Sequence, residues 1–232
     1  MRTLKITLTV FMTMILIVSI FFNFLVMGSA NGTLVFKHDD QKFLSMVSTQ
    51  RLVLDGSQIS SSKNAGYQLT KTTIEKGVTT KEIYQIYLND RYEATLSITS
   101  EIKEKNTVKT QNYYRVGFVY DEKGNQFPSV EDPKVLFADA MSSVNSYQDA
   151  LAIDIETTKT KVENTFNFSA FPFIELQYTI KREESNTTFT YDLKGNLKTI
   201  KISYKDGKKE SYSISKLNKK VYIPSSKVQQ AG

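Results

Sequence analysis

From Ile6 to Met27 the chain runs for 22 residues with polar side chains only at Thr7, Thr9, Thr13, Ser19 and Asn23, and no charge falls between Lys5 and Lys37. As a helix rising ~1.5 Å per residue this stretch is about 33 Å long, enough to cross a hydrocarbon core of ~30 Å. The apolar part of a signal peptide is shorter, roughly 7–15 residues. Small residues at Gly28, Ser29 and Ala30 nevertheless offer a cleavage site. Residues 1–30 therefore read as a transmembrane anchor or a signal peptide, with both fates open. In either case Arg2 and Lys5 hold the amino terminus on the cytoplasmic side. The remainder is expected outside the cell membrane, single-pass if the helix is kept and secreted if the chain is cut after Ala30.

Beyond the apolar run the pattern changes. "HDDQKFLSMVSTQ" predicts a short helix, capped by Asp39 or Asp40, with Phe43, Met46 and Val47 on one face. Four strand-like runs follow at 67–75, 81–88, 91–104 and 107–121, separated by the turns "EKGV", "LNDR" and "KEKN". Period-two alternation puts Ala94, Leu96, Ile98 and Ser100 on one side. "DEKGNQFPSVEDP" interrupts the strands, and a second helix is predicted after it. Ser129 and Asp132 form its capping box, Pro133 sits in its first turn, and Leu136, Ala140, Val144, Tyr147 and Leu151 make its apolar face.

"AIDIETTKTKVENTFNF" reads as one or two strands and the rest as a meander with turns at "EESN", "LKGN" and "KDGK". In it Ile174, Leu176, Tyr178 and Ile180 share a face, as do Phe189, Tyr191 and Leu193, then Ile200, Ile202 and Tyr204, then Tyr212 and Ile214. Strands apolar on one side and rich in Lys, Ser and Thr on the other make an antiparallel sheet with one wet face. The expected fold is α+β: the N-terminal membrane-spanning or signal helix, then a mainly antiparallel curved sheet with two helices on one face. Residues 31–226 form this domain and 227–232 a flexible tail. Two small helix-plus-strand units in tandem are the alternative.

Composition removes several function classes. The chain has no cysteine, which excludes disulfides, a thiol nucleophile, Cys-based metal sites and an acylated N-terminal Cys. Heavy use of Lys, Asn, Ser, Thr and Ile with little Arg suggests an AT-rich, Gram-positive host. Net charge is +6, and ten lysines between 194 and 227 face only Asp206 and Glu210. Such a stretch attracts anionic wall polymers or headgroups, yet its lysines fall among strand and turn residues and read better as a solvated face. No aromatic-interleaved basic motif is present, so no nucleic acid is expected.

Nor is catalytic chemistry apparent. The single histidine, His38, adjoins Asp39 and Asp40, but three sequence neighbours seldom converge on one ion, and a helix cap explains them better. No His remains for a Ser-His-Asp triad. "SISK" at 213–216 and "SSSK" at 60–63 match a Ser-x-x-Lys nucleophile in spacing but not in helical context. Glu183 and Glu184 are adjacent turn residues. The expectation is a non-enzyme without cofactor or metal. The cluster "FNFSAFPF" is the candidate binding site: Phe166, Phe168, Phe171 and Phe173 either pack the core or line an apolar cavity on the concave side of the sheet.

The exported segment, the short helix, the long antiparallel run, the mid-chain helix after "YYRVGFVYDEKGNQFP" and the closing "TYDLKGNLKTIKISYKDGKKESYSISKLNKKVYIPSS" together resemble the LolA/LppX-type lipoprotein-carrier fold. The resemblance spans nearly all of residues 38–226 and is one of pattern, without a diagnostic motif. Many Gram-positive relatives are lipoproteins, from which this cysteine-free chain departs. The resemblance implies non-covalent binding of a lipid or other apolar ligand between sheet and helices. The competing expectation is a scaffold or protein-interaction subunit of a cell-envelope, secretion or conjugation assembly, built from tandem cystatin-like units and bound to an envelope protein partner. Membrane contact through residues 6–27 is common to both.

Overall fold

The computed structural model describes residues 11–15, 65–157, 162–167, 175–192, 195–217 and 219–224. Among these residues eleven strands form one sheet: β1 (Ala65–Glu75), β2 (Val78–Leu88), β3 (Ala94–Lys103), β4 (Thr107–Arg115), β5 (Phe118–Tyr120), β6 (Gln126–Pro128), β7 (Val162–Asn167), β8 (Glu175–Lys181), β9 (Ser185–Asp192), β10 (Leu197–Tyr204) and β11 (Lys209–Leu217). Their spatial order is β6-β5-β4-β3-β2-β1-β11-β10-β9-β8-β7, every pairing antiparallel. The seam is β1 against β11, where Leu69 faces Ile214. That pairing fuses the two meanders into one sheet, so the tandem-unit alternative does not hold.

The helix α1 (Pro133–Thr157) lies between β6 and β7 in the chain, and these strands are the two opposite edges of the sheet. Ten inter-strand steps of ~4.8 Å separate them by about 48 Å. Twenty-five helical residues span about 37 Å. α1 must therefore cross the sheet face from one wing to the other. It meets β2 and β3. Its middle reaches Tyr212 on β11, and Asp154 near its end ion-pairs with Arg182 beside β8 at 2.6 Å.

Local chemistry explains the boundaries. Asp132 caps the helix, its carboxylate accepting the Lys134 amide at 2.7 Å, and Pro133 follows as the first helical residue. Ser129 instead accepts the amide of Glu131 at 3.2 Å, so the cap is Asp132 and no Ser129 capping box forms. The buried stripe is Pro133, Phe137, Met141, Val144, Gln148, Leu151 and Ile155. The expected face is right at Val144 and Leu151, while Leu136, Ala140 and Tyr147 pack at the margin of the stripe. Residues 152–157 continue the helix where a strand was expected, because Leu151 and Ile155 extend the same stripe.

The expected strand at 107–121 is two strands bent at Val116-Gly117, where Gly117 takes φ 84°. Residues 126–128, expected as a break, pair with β5. A two-residue turn with positive φ at Lys76 and Gly77 joins β1 to β2, as the right-handed strand twist prefers.

The N-terminal run is described only at 11–15, which is helical and exposed. Among the described residues no helix is long and apolar enough to cross a membrane. The rest of 6–27, the expected first helix with His38, Asp39 and Asp40, the "SSSK" segment and the tail 227–232 lie outside the described residues. Of the two helices expected on the sheet, one is described.

Candidate functional site

Register sorts the sheet into two faces. Toward α1 point Tyr67, Leu69, Ile86, Leu96, Leu176, Tyr178, Ile180, Phe189, Tyr191, Ile200, Ile202, Tyr212 and Ile214, all buried with the helix stripe in one apolar core. The opposite face carries Ser, Thr, Gln and Lys. There Gln85 donates to Gln68 at 2.7 Å and Gln111 to Ser97 at 3.0 Å across neighbouring strands. The expected faces of the closing meander are correct at every described position.

Among the described residues the inner face is not uniformly covered. Under α1, Phe137, Met141, Val144 and Leu151 are buried against the sheet. On the β3–β6 wing the same face continues outward: Ile102 pairs with Val108, and Tyr114 with Val119, which pairs in turn with Phe127. Ile102, Val108 and Phe127 are 44%, 60% and 51% exposed. Thr73 and Thr80 continue the Ile102–Val108 row, and between the two apolar rows lie Lys71, Glu82, Ser100 and Thr110 in one row, with Lys71 and Glu82 ion-paired at 3.7 Å, and Asn112 opposite Ile98.

Two polar groupings interrupt the apolar face. At the flank of α1, Tyr147 donates to Glu210 Oε2 at 3.4 Å and Tyr212 donates to the same oxygen at 3.3 Å, while Lys208 holds Oε1 at 2.8 Å and lies 5.4 Å above the Tyr204 ring. Burial raises the pKa of both Tyr147 and Tyr212. The Tyr204 contact adds to the shift at Tyr147, and the Glu210 charge to that at Tyr212. The second grouping lies deeper. Tyr178 and Tyr191 meet edge-to-face at 6.3 Å between centroids, and Gln148 from α1 stands beside the Tyr191 hydroxyl. Burial raises the Tyr191 pKa, and the Gln148 amide acts in the opposite direction.

Of the four expected ligand-binding phenylalanines, Phe166 lies on β7, paired with Leu176, which pairs on its other side with Tyr191. Its register position is thus on the inner-face row of Tyr191. Phe168, Phe171 and Phe173 lie outside the described residues. Ser213 and Lys216 of "SISK" are three positions apart on β11 and point to opposite faces, so the structure does not bring them together. Within the basic stretch Lys198 pairs with Asp192 at 3.4 Å, Lys205 with Glu184 at 4.0 Å and Lys208 with Glu210, whereas Lys201 and Lys209 are exposed.

An open cleft of about 520 Å³ lies elsewhere, lined by Arg115, Tyr120, Gly124, Asn125, Gln126, Ile223 and Pro224. It is largely polar and sits at the β5–β6 corner, away from the apolar face.

Sequence reasoning missed Gln148, since a polar residue in an apolar stripe reads as solvent-facing. It also missed that "YDEKGN" at 120–125 and "YDLKGN" at 191–196 are one motif used twice. In each, the Asp carboxylate accepts the backbone amide and the side-chain amide of the Asn four residues on, and the intervening Gly takes positive φ.

No protein-family profile matches the chain, and no curated protein does. Solved structures to which it is similar include LprF from Mycobacterium bovis, at TM-score 0.42 and 10% identity, covering 77% of this chain and 97% of that one. The lipoprotein LppX of Mycobacterium tuberculosis gives TM-score 0.38 and 10% identity over 77% and 98% of the two chains. A LolA superfamily protein from Nitrosomonas europaea gives 0.26 and 9% over 79% and 94%. The similarity concerns the arrangement of strands and helix alone.

Proposed function

We propose that the protein is an extracytoplasmic, non-enzymatic binder of an apolar ligand, a lipid or other acyl-chain molecule, held on the inner face of the sheet beside α1. One observation carries this reading. A helix about 10 Å wide crosses a sheet some 48 Å wide, and the inner face beyond it exposes Ile102, Val108 and Phe127. Ile102 and Val108 form one exposed cross-strand pair, and Phe127 ends a separate row through Tyr114 and Val119; exposed apolar groups on one sheet face support a binding surface. Phe166, Phe168, Phe171 and Phe173 are proposed to border the ligand at the opposite, β7 wing. Residues 31–226 act as the binding domain, and residues 1–30 deliver it across the cell membrane as an anchor or cleaved signal.

The test is the binding of diphenylhexatriene, an apolar fluorescent probe without a headgroup. Saturable uptake by the folded protein is expected, with loss of uptake in an Ile102→Asp, Val108→Asp double variant. Both sites are exposed enough for the fold to tolerate charge. Uptake unchanged by the double variant would remove this wing from the site.

The filled interface directly under α1 supports a second reading, an assembly subunit of the cell envelope. That reading requires a defined oligomer or a captured envelope protein and no bound lipid.

A further inference from the structure

Arg115, Tyr120 and Gln126 line the cleft at the β5–β6 corner. They hold positions on the polar face of three neighbouring strands, because Tyr114, Val119 and Phe127 take the inner face there. The remaining wall is Ile223 and Pro224, both half-buried, from the segment that follows β11. Leu217, the last residue of β11, shares one cross-strand row with Gly66, Tyr87, Thr95 and Arg115. Four strand steps of ~4.8 Å put Arg115 about 19 Å from it, and the six residue steps from 217 to 223 span about 20 Å when extended. The closing segment thus has just the length to wall the corner. Four separate parts of the chain build the cleft.

Two of the lining side chains are held in place by their own partners. Arg115 Nη2 pairs with Glu93 Oε2 at 3.3 Å, and the Asn89 side-chain amide donates to the same oxygen at 2.9 Å. Asp121 accepts the backbone amide of Asn125 at 2.8 Å and its side-chain amide at 2.7 Å, which leaves the Asn125 side-chain oxygen to act as an acceptor. Groups ordered in advance cost a ligand little to engage. Charge then narrows the ligand class. Among the residues lining the cleft only Arg115 is charged, and Glu93 offsets it. The Asp121 carboxylate is occupied within its own turn, where it also accepts the Lys123 amide at 2.9 Å. Carboxamides, a phenol and a guanidinium therefore stand beside a short apolar wall, around a volume of about 520 Å³. That volume falls within the ~300–1,000 Å³ that small ligands occupy.

We propose that this cleft binds a neutral saccharide. A sugar ring has an apolar C–H face and a rim of hydroxyls that both donate and accept hydrogen bonds. Tyr120 and the Ile223-Pro224 wall take the apolar face, and Gln126, Asn125 and Arg115 take the hydroxyls. An anion would have to displace Glu93 from Arg115. A peptide adding as a strand would need a longer edge than β6, which has three residues and ends at Pro128. The site is on the face opposite α1, and its reading is independent of the apolar-ligand reading above.

The experiment titrates the full-length chain, held in amphipol, with chitotriose or cellotriose and follows saturation transfer to the sugar protons by NMR. Binding of at least one trisaccharide by the wild type is expected. Tyr120→Ala and Gln126→Ala should each raise its Kd about fivefold, the order of one ring contact or one hydrogen bond. Near-ultraviolet circular dichroism checks the folding of each, and Gln126→Ala, at an exposed position, carries the test should Tyr120→Ala misfold. Lys201→Ala, at an exposed position on another strand, should bind as the wild type does. Co-sedimentation with purified cell-wall glycan, competed by the bound trisaccharide, would support a wall polymer as the source; binding of the soluble sugar alone would support a free saccharide. No transfer to either trisaccharide would overturn the proposal. Equal binding by the wild type and the folded variants would overturn it too, since the sugar would then sit elsewhere. Saturation of an alanine tetrapeptide in place of both sugars would give the cleft to a protein partner instead.

Discussion

The ring of Tyr147 on α1 lies 5.7 Å from that of Tyr212 on β11, and both hydroxyls reach one carboxylate oxygen of Glu210, at 3.4 and 3.3 Å. This contact fastens the middle of the crossover helix to the strand that joins the two meanders. It holds α1 over the core, while Ile102, Val108 and Phe127 on the same face stay exposed among the described residues.

Removing either hydroxyl tests that fastening. Tyr147→Phe and Tyr212→Phe should each cost about 0.5–1.5 kcal/mol, the net worth of one hydrogen bond. The double variant should cost less than the sum, because the two donors share an acceptor. Urea unfolding of the four proteins gives the coupling; strict additivity would mean the carboxylate does not link them.

Alkaline pH should loosen the same region. Tyr147, Tyr191 and Tyr212 all have folded-state pKa values raised above the ordinary value, with burial the leading cause. The folded chain therefore binds these protons more tightly than the unfolded chain. That stability is complete below the unfolded tyrosine pKa of about 10 and is lost as pH climbs beyond it. Tyrosinate absorbance near 295 nm should show exposed tyrosines ionising first, and these three only together with loss of near-ultraviolet circular dichroism.

Gly66 on the central strand β1 should not accept a side chain. A Cβ there would stand 2.8 Å from Leu217 Cβ, 3.0 Å from the Ile86 carbonyl oxygen and 3.1 Å from a ring carbon of Tyr87. Gly66→Ala is expected to destabilise by about 1–3 kcal/mol, as overpacking does. Gly77, whose added Cβ would meet nothing, owes its glycine to φ 81° instead. Thermal unfolding of Gly66→Ala decides, and an unchanged midpoint would refute the close packing at the β1 seam.

Phe137 and the β7-wing phenylalanines should respond differently to truncation. Phe137 is fully buried beneath α1, so Phe137→Ala should cost about 3–5 kcal/mol without altering ligand retained per folded molecule. Phe168→Ala and Phe171→Ala should lower retention per folded molecule. Unchanged retention in both would assign them to packing alone.

Legibility in the sequence followed the strength of local periodicity. The inner faces of β8 to β11 were readable because Leu176, Tyr178 and Ile180, or Ile200 and Ile202, alternate strictly with polar residues and one side is buried. The helix face was readable only in part, at Val144 and Leu151, because two overlapping stripes compete. Leu136, Ala140 and Tyr147 look apolar throughout, whereas the true stripe passes through Gln148. The split of the long fourth run into β4 and β5 was hidden because Val116-Gly117 lies between two aromatic, strand-favouring segments. The closure of one sheet by β1 and β11 depends on a pairing between distant parts of the chain, which no local pattern encodes. Among the site residues, Phe166 was placed on a strand correctly. Gln148 went unseen because its importance comes from burial, which a polar letter conceals.

The most direct measurement is native mass spectrometry of the full-length protein expressed in a Gram-positive host and gently extracted. The account predicts a folded chain carrying extra mass in the range of a lipid, lost on denaturation. A bare chain, or a defined oligomer without any adduct, would contradict ligand binding as its function.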